Sequence, residues 1–152
     1  MINEKDYLFV KKTAGEYKLY KKIYFNDKIG KKNLSIIDSE IGRTDLGSVE
    51  LKNILNQKIF NYPKSTRLII HLLKIASKPN STILDFFAGS GTTGHAVLEL
   101  NKEDGGNRKF ILCTNNENNI CTDVCYPRLL KVIKGYTNIK NEKIEFIAIF
   151  LN

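Results

Sequence analysis

The chain has 152 residues, 42% of them apolar, a formal charge of +8 and a pI of about 9.3. That is one domain's worth of chain with enough apolar side chains for a core, which excludes wholesale disorder, and the charge, mostly lysine, suits an anionic partner such as nucleic acid. Three cysteines argue against a disulfide framework and for a reducing, cytoplasmic setting; no run approaches about 20 apolar residues, so no membrane span is expected, and MINEKDYLFVKK lacks the apolar stretch of a signal peptide.

Residues 1–50 read as a small basic, β-rich region, the end of an upstream recognition part or a linker. DYLFV and EYKLYKKIYF carry aromatic and β-branched residues on either side of the turn former Gly15. Lys pairs at 11–12, 21–22 and 31–32 read as solvated strand faces, with phosphate contact as the sharper alternative. IGRTDLGS, from Ile41 to Ser48, reads as a loop by its Gly, Asp and Ser content.

Residues 51–152 follow a different pattern. ELKNIL is a short helical stretch, and Lys64 to Ser77 has apolar residues at helical spacing, ended by Lys78-Pro79-Asn80. Thr82 to Phe87 is a short apolar run, predicted to be a buried strand. A Gly-rich turn, a helix from about Thr92 to Leu100 and a polar loop lead to a second predicted buried strand, Lys109 to Cys113. Asp123 to Lys134 reads as a helix with Pro127 in or near its first turn and Gly135 as its stop, and Lys143 to Leu151 as a last strand. The alternation of helix and strand from residue 64 implies a mainly parallel α/β sheet covered by helices.

The densest chemistry lies in Asp85-Phe86-Phe87-Ala88-Gly89-Ser90-Gly91-Thr92-Thr93-Gly94. A strand enters a glycine turn and leaves as a helix, so bare backbone and free helix N–H groups meet at the C-terminal end of a sheet. Gly89, Gly91 and Gly94 fit the dinucleotide pattern G-x-G-x-x-G, a weak match when alone. A P-loop is rejected, because His95 stands where a lysine should reach the phosphates. Asp85 points to S-adenosylmethionine: an acid at the strand end would repel a pyrophosphate but suits cationic amino and sulfonium groups. A tight turn without a ligand is the bland alternative.

These residues resemble a known family. Asp85, Phe87, Gly89, Gly91, Thr92 and Thr93 resemble motif I of the amino-methyltransferases of DNA, and Phe60-Asn61-Tyr62-Pro63-Lys64-Ser65 resembles their motif X. With the stretch up to Lys109-Phe110-Ile111, the chain is similar to the modification subunit of type III restriction–modification systems, over roughly residues 40–136. The resemblance implies a partial Rossmann-like methyltransferase sheet and methyl transfer from S-adenosylmethionine to the exocyclic amine of adenine in DNA. It assigns Pro63, Lys64 and Ser65 beside the cofactor's amino-acid end. The motif I turn, Asp85, Phe86, Phe87, Ala88, Gly89, Ser90, Gly91, Thr92 and Thr93, holds the methionine portion, and Glu117 is the candidate for the ribose hydroxyls. DNA, an upstream catalytic and recognition half, a restriction subunit and a homodimer are the partners implied.

One departure stands against the match. The family's catalytic Asp-Pro-Pro-Tyr motif is absent, since the prolines stand singly at 63, 79 and 127. Its place in the permuted order lies upstream of Met1, so a truncated gene product, split enzyme or cloned fragment, inactive alone, is expected. Two other readings fit the same residues: a remnant holding DNA or a restriction subunit without cofactor, and a methyltransferase acting on a cytosine amine, RNA or protein. Cys113, Cys121 and Cys125 fit no usual zinc spacing and read as buried thiols. His71 and His95 read as non-catalytic, and Arg128 as one half of a structural ion pair.

Overall fold

A computed structural model of the chain describes residues 7–11, 15, 17–21 and 37–145. The chain divides into two units, Met1–Leu34 and Ser35–Asn152. In the first, β1 (Tyr7–Lys11) and β2 (Tyr17–Lys21) form an antiparallel hairpin with Tyr7 opposite Lys21 and Lys11 opposite Tyr17. Gly15 between them has φ +84°, the left-handed backbone that a glycine adopts without steric cost. The lysine side chains at 11–12, 21–22 and 31–32 lie outside the described residues, as does the expected strand beyond Glu145.

The second unit is mixed α/β. It runs α1 (Ser39–Gly42), α2 (Thr44–Leu55), α3 (Thr66–Ala76), β3 (Thr82–Asp85), α4 (Thr92–Asp104), β4 (Lys109–Leu112), a 3-10 turn (Glu117–Asn119), a π-helical turn (Ile120–Cys125), α5 (Tyr126–Lys134) and a small hairpin of β5 (Tyr136–Thr137) and β6 (Lys143–Ile144). β3 and β4 pair in parallel, Thr82 with Lys109 through Asp85 with Leu112. The crossover between them is α4, buried on nearly every side: Ala96, Val97 and Leu100 are fully enclosed. One apolar cluster joins Leu51, Ile54 and Leu55 of α2 to Leu98 of α4 and Val132 of α5. A second joins Leu73 of α3 to Ala96, Val97 and Leu100, with Ile83 and Phe110 of the strands against it.

Two expectations are corrected. Ile41 to Ser48 is helical rather than a loop, so helix begins at Ser39 within the stretch read as β-rich. The composition misleads because Gly47 is no turn glycine. A Cβ there would stand 2.2 Å from the Pro63 carbonyl oxygen and 2.7 Å from that of Lys64, so α2 packs on the 63–64 backbone only without a side chain. Leu51, Ile54 and Leu55, at helical spacing, bury the apolar side of α2 and override the weak helix propensity of Gly and Ser. The two strands are also not buried through. Their alternate residues Ile83 and Phe110 are half-buried, while Leu84 and Ile111, paired side by side, are 49% and 53% exposed. Among the described residues helices cover one face only, and the side chains alternate across the sheet.

The loop from α4 to β4 is held by Arg108. Its guanidinium donates to Ser77 Oγ and Asp104, and Asn101 brackets its backbone at 3.0 Å and 2.9 Å. No helix among the described residues is long and apolar enough to cross a membrane.

Gly47→Ala is expected to destabilise the fold by about 2 kcal/mol, because the methyl must push two backbones apart. Urea denaturation of the variant beside the parent chain measures this; an unchanged midpoint would refute the close packing of α2 on residues 63–64.

Candidate functional site

The glycine turn between β3 and α4 is built by Asp85. Its carboxylate accepts from the Phe87 N–H at 2.9 Å and from the Thr93 hydroxyl at 2.5 Å, tying strand end to helix start. The ladder with β4 runs on past both strands: Cys113 N–H donates to the Asp85 carbonyl, and Ala88 N–H to that of Cys113. Gly89 and Gly91 have φ +52° and +75°, which only glycine takes easily. Gly91 also lies where a Cβ would meet Cys125 Sγ at 3.0 Å. No side chain caps the N-terminus of α4, so its first-turn N–H groups remain available to a ligand.

A cavity of about 240 Å³ opens over this turn. Its wall combines Phe60, Tyr62, Pro63 and Lys64 with Asp85, Phe87, Ala88, Gly89, Ser90, Thr92 and Thr93. Its two halves are distant in sequence, and they meet because Thr92 Oγ1 donates to the Lys64 carbonyl at 3.3 Å. Of the thirteen residues singled out in the sequence, nine line the cavity. Ser65 is buried behind it at the start of α3, Gly91 lies under the turn, and Phe86 points away to solvent. Glu117 is not in the wall; it is exposed in the 3-10 turn after β4, where its carboxylate accepts from Asn115 Nδ2 at 3.4 Å. Its turn follows the same sheet edge as Asp85, because the two strands are parallel.

Beneath the turn lies a polar network that sequence reasoning largely missed. Arg128 on α5 is fully buried. One terminal nitrogen donates to Thr92 Oγ1 at 2.8 Å and reaches Ser90 Oγ and the Ser90 carbonyl. The other donates to Thr66 Oγ1 at 3.0 Å and His95 Nδ1 at 3.1 Å, and stands 3.4 Å from the Glu50 carboxylate. The ion pair expected of Arg128 is thus made with Glu50, which also accepts from the Thr66 N–H and so caps α3. Because Arg128 can only donate, His95 Nδ1 accepts, and its Nε2–H is given to Glu99 at 3.1 Å. The signal that could have found this is a charge on a buried stripe: Arg128 falls with Val124 and Val132 on one helical face. Glu50, 78 positions earlier, gives no local sign.

The cysteines are corrected in part. Cys125 is buried, Cys121 half-buried and Cys113 exposed at its strand end. Among the described residues no three His, Cys, Asp or Glu side chains gather as a metal site.

The sequence matches the DNA methylase family over residues 3–124. It is 50% identical over 68 residues to the Type III restriction-modification enzyme StyLTI Mod subunit of Salmonella typhimurium, which is 45% of this chain and 10% of that protein. It is 50% identical over 74 residues to the EcoPI Mod subunit of Escherichia phage P1, 49% of this chain and 12% of that protein. With the Type II methyltransferase M.KpnI of Klebsiella pneumoniae the identity is 37% over 116 residues, 68% of this chain and 28% of the relative. The chain thus spans less than a third of the length of each of these relatives.

Glu99 gives the network a pH dependence. The hydrogen bond from His95 holds its carboxyl below the ordinary glutamate value, against the opposing effect of burial. A carboxyl lowered on folding contributes stability above its unfolded value, near pH 4.3, and loses it as pH falls through the folded value. Glu99→Gln should therefore lower stability at about pH 7, and the loss should shrink as pH falls through the folded value and the carboxyl takes up its proton. Denaturation curves followed from neutral to acidic pH test this; a loss that does not shrink would mean that the charge plays no part.

Proposed function

The chain belongs to the DNA methylase family, and from that premise we propose that it is the S-adenosylmethionine-binding lobe of a DNA (adenine-N6) methyltransferase of the type III restriction–modification kind. The observation that carries the proposal is the convergence of Tyr62–Lys64 and Asp85–Thr93 on one cavity. These are the two segments that resemble motifs X and I, and a fold that needed the turn for packing alone has no reason to line a cavity with both.

The residues fit the cofactor's amino-acid end. Asp85 offers a negative charge for the ammonium, and the uncapped start of α4 offers N–H groups for the carboxylate. Gly89 and Gly91 let a ligand approach bare backbone, and the exposed rings of Tyr62 and Phe87 supply apolar surface at the rim. The cavity's 240 Å³ falls below the range of about 300–1,000 Å³ usual for a small-molecule site, so it receives part of the cofactor. The remainder extends along the strands' C-terminal edge toward Glu117, which we assign to the ribose hydroxyls. When bound, S-adenosylmethionine supplies a methyl group activated by its sulfonium; these side chains orient it and shield it from water.

The acceptors for the target amine come, in this reading, from an upstream half that carries Asp-Pro-Pro-Tyr and the recognition region, so the chain alone is inactive. DNA, a restriction subunit and a second methyltransferase chain are the partners this reading brings with it, in the cytoplasm.

Calorimetric titration of the chain should show binding of S-adenosylmethionine and none of NAD. Asp85→Asn should weaken that binding at least about tenfold, or about 1.4 kcal/mol. A well-folded chain that binds neither ligand would sink the proposal of an autonomous cofactor lobe.

A further inference from the structure

We infer that Arg128 is a positioning residue for the glycine turn: paired with Glu50, it holds Ser90 and Thr92 so that the turn and the start of α4 keep a ligand-receiving shape. The inference rests on the cofactor reading for what the turn receives, and on geometry for what Arg128 does.

Stability alone does not account for this guanidinium. It is fully enclosed, its carboxylate partner stands off at 3.4 Å, and its Nε has no partner. A buried ion pair, even one hydrogen-bonded at both terminal nitrogens, often contributes no more to stability than apolar side chains of the same size would. What the arrangement does provide is aim. The shortest bond, 2.8 Å, goes to Thr92, the first residue of α4, and the same nitrogen also reaches the carbonyl and hydroxyl of Ser90 inside the turn. Ser90 and Thr92 are bonded to one another at 3.2 Å and both line the cavity. Arg128 itself does not line it and thus acts through them. The chain reaches this position through the π-helical turn Ile120–Cys125, whose last residue presses its sulfur under Gly91. Such wide turns recur at functional sites, where they re-aim the helix beyond them.

The test compares the chain with Arg128→Lys and with a core control, Ile54→Val, whose side chain is fully buried in the apolar cluster and makes none of the turn's hydrogen bonds. A lysine keeps the charge but cannot serve Thr92, Ser90 and Thr66 together. Three readouts are taken: affinity for S-adenosylmethionine, thermal midpoint, and amide hydrogen exchange of residues 88–93 without ligand. The expected result is at least tenfold weaker binding and at least tenfold faster exchange in the turn, at a midpoint no lower than the control's. Binding within twofold of the parent with unchanged exchange would overturn the inference. So would an equal loss of affinity in Ile54→Val. If Arg128→Lys does not fold, Glu50→Gln removes the charge paired with Arg128 without touching a residue of the turn or the cavity, and is read by the same criteria. If the parent chain binds no cofactor, the proposed function falls, while exchange in the turn still decides the role of Arg128.

Discussion

A guanidinium with no route to water must be answered entirely by its neighbours, and the second unit is arranged around that requirement. Arg128 comes from α5, Glu50 from α2, Thr66 from α3, His95 and Thr92 from α4, and Ser90 from the glycine turn. Every helix of the apolar core except the short α1 therefore contributes at least one polar group to a single point. Apolar packing brings these helices together without specifying how far each slides along the next. Hydrogen bonds at 2.8–3.1 Å do specify it, since they fail within a few tenths of an ångström.

The same logic explains why the approach of α2 is so close. Glu50 can reach both the Thr66 N–H and Arg128 only if α2 lies directly on the 63–64 backbone, which the bare Cα of Gly47 permits. One glycine on α2 thus sets the depth at which a carboxylate one turn later meets its partners. Pro63, held in that contact, presents the neighbouring Tyr62 and Lys64 to the cavity.

The glycine turn is legible in the sequence because its requirements are local. Positive φ at Gly89 and Gly91, an acid at the strand end and a helix start all fall within ten residues, and each restricts residue type. Helix α3 and the stop at Gly135 are legible for the same reason. Residues 41–48 are not, since the reason for a glycine at 47 is the close approach of a backbone 16 and 17 positions later, which no local pattern shows. The strands read as buried on both faces because an apolar run of four says nothing of what covers it; Leu84 and Ile111 are as apolar as Ile83 and Phe110 and remain exposed. Glu117 is indicated by its distance in sequence from a strand, which fixes the sheet edge but not the direction of a side chain in an Asn-rich turn.

The position of Glu50 redraws what counts as the smallest inheritable piece of this architecture. The first of the two motif-like segments begins at Phe60, so a gene fragment that recombined at that point would carry both segments intact. It would nonetheless leave the charge of Arg128 without its carboxylate and the start of α3 without its cap. A breakpoint between Glu50 and Phe60 would thus cut an electrostatic contact while leaving both motif-like segments whole.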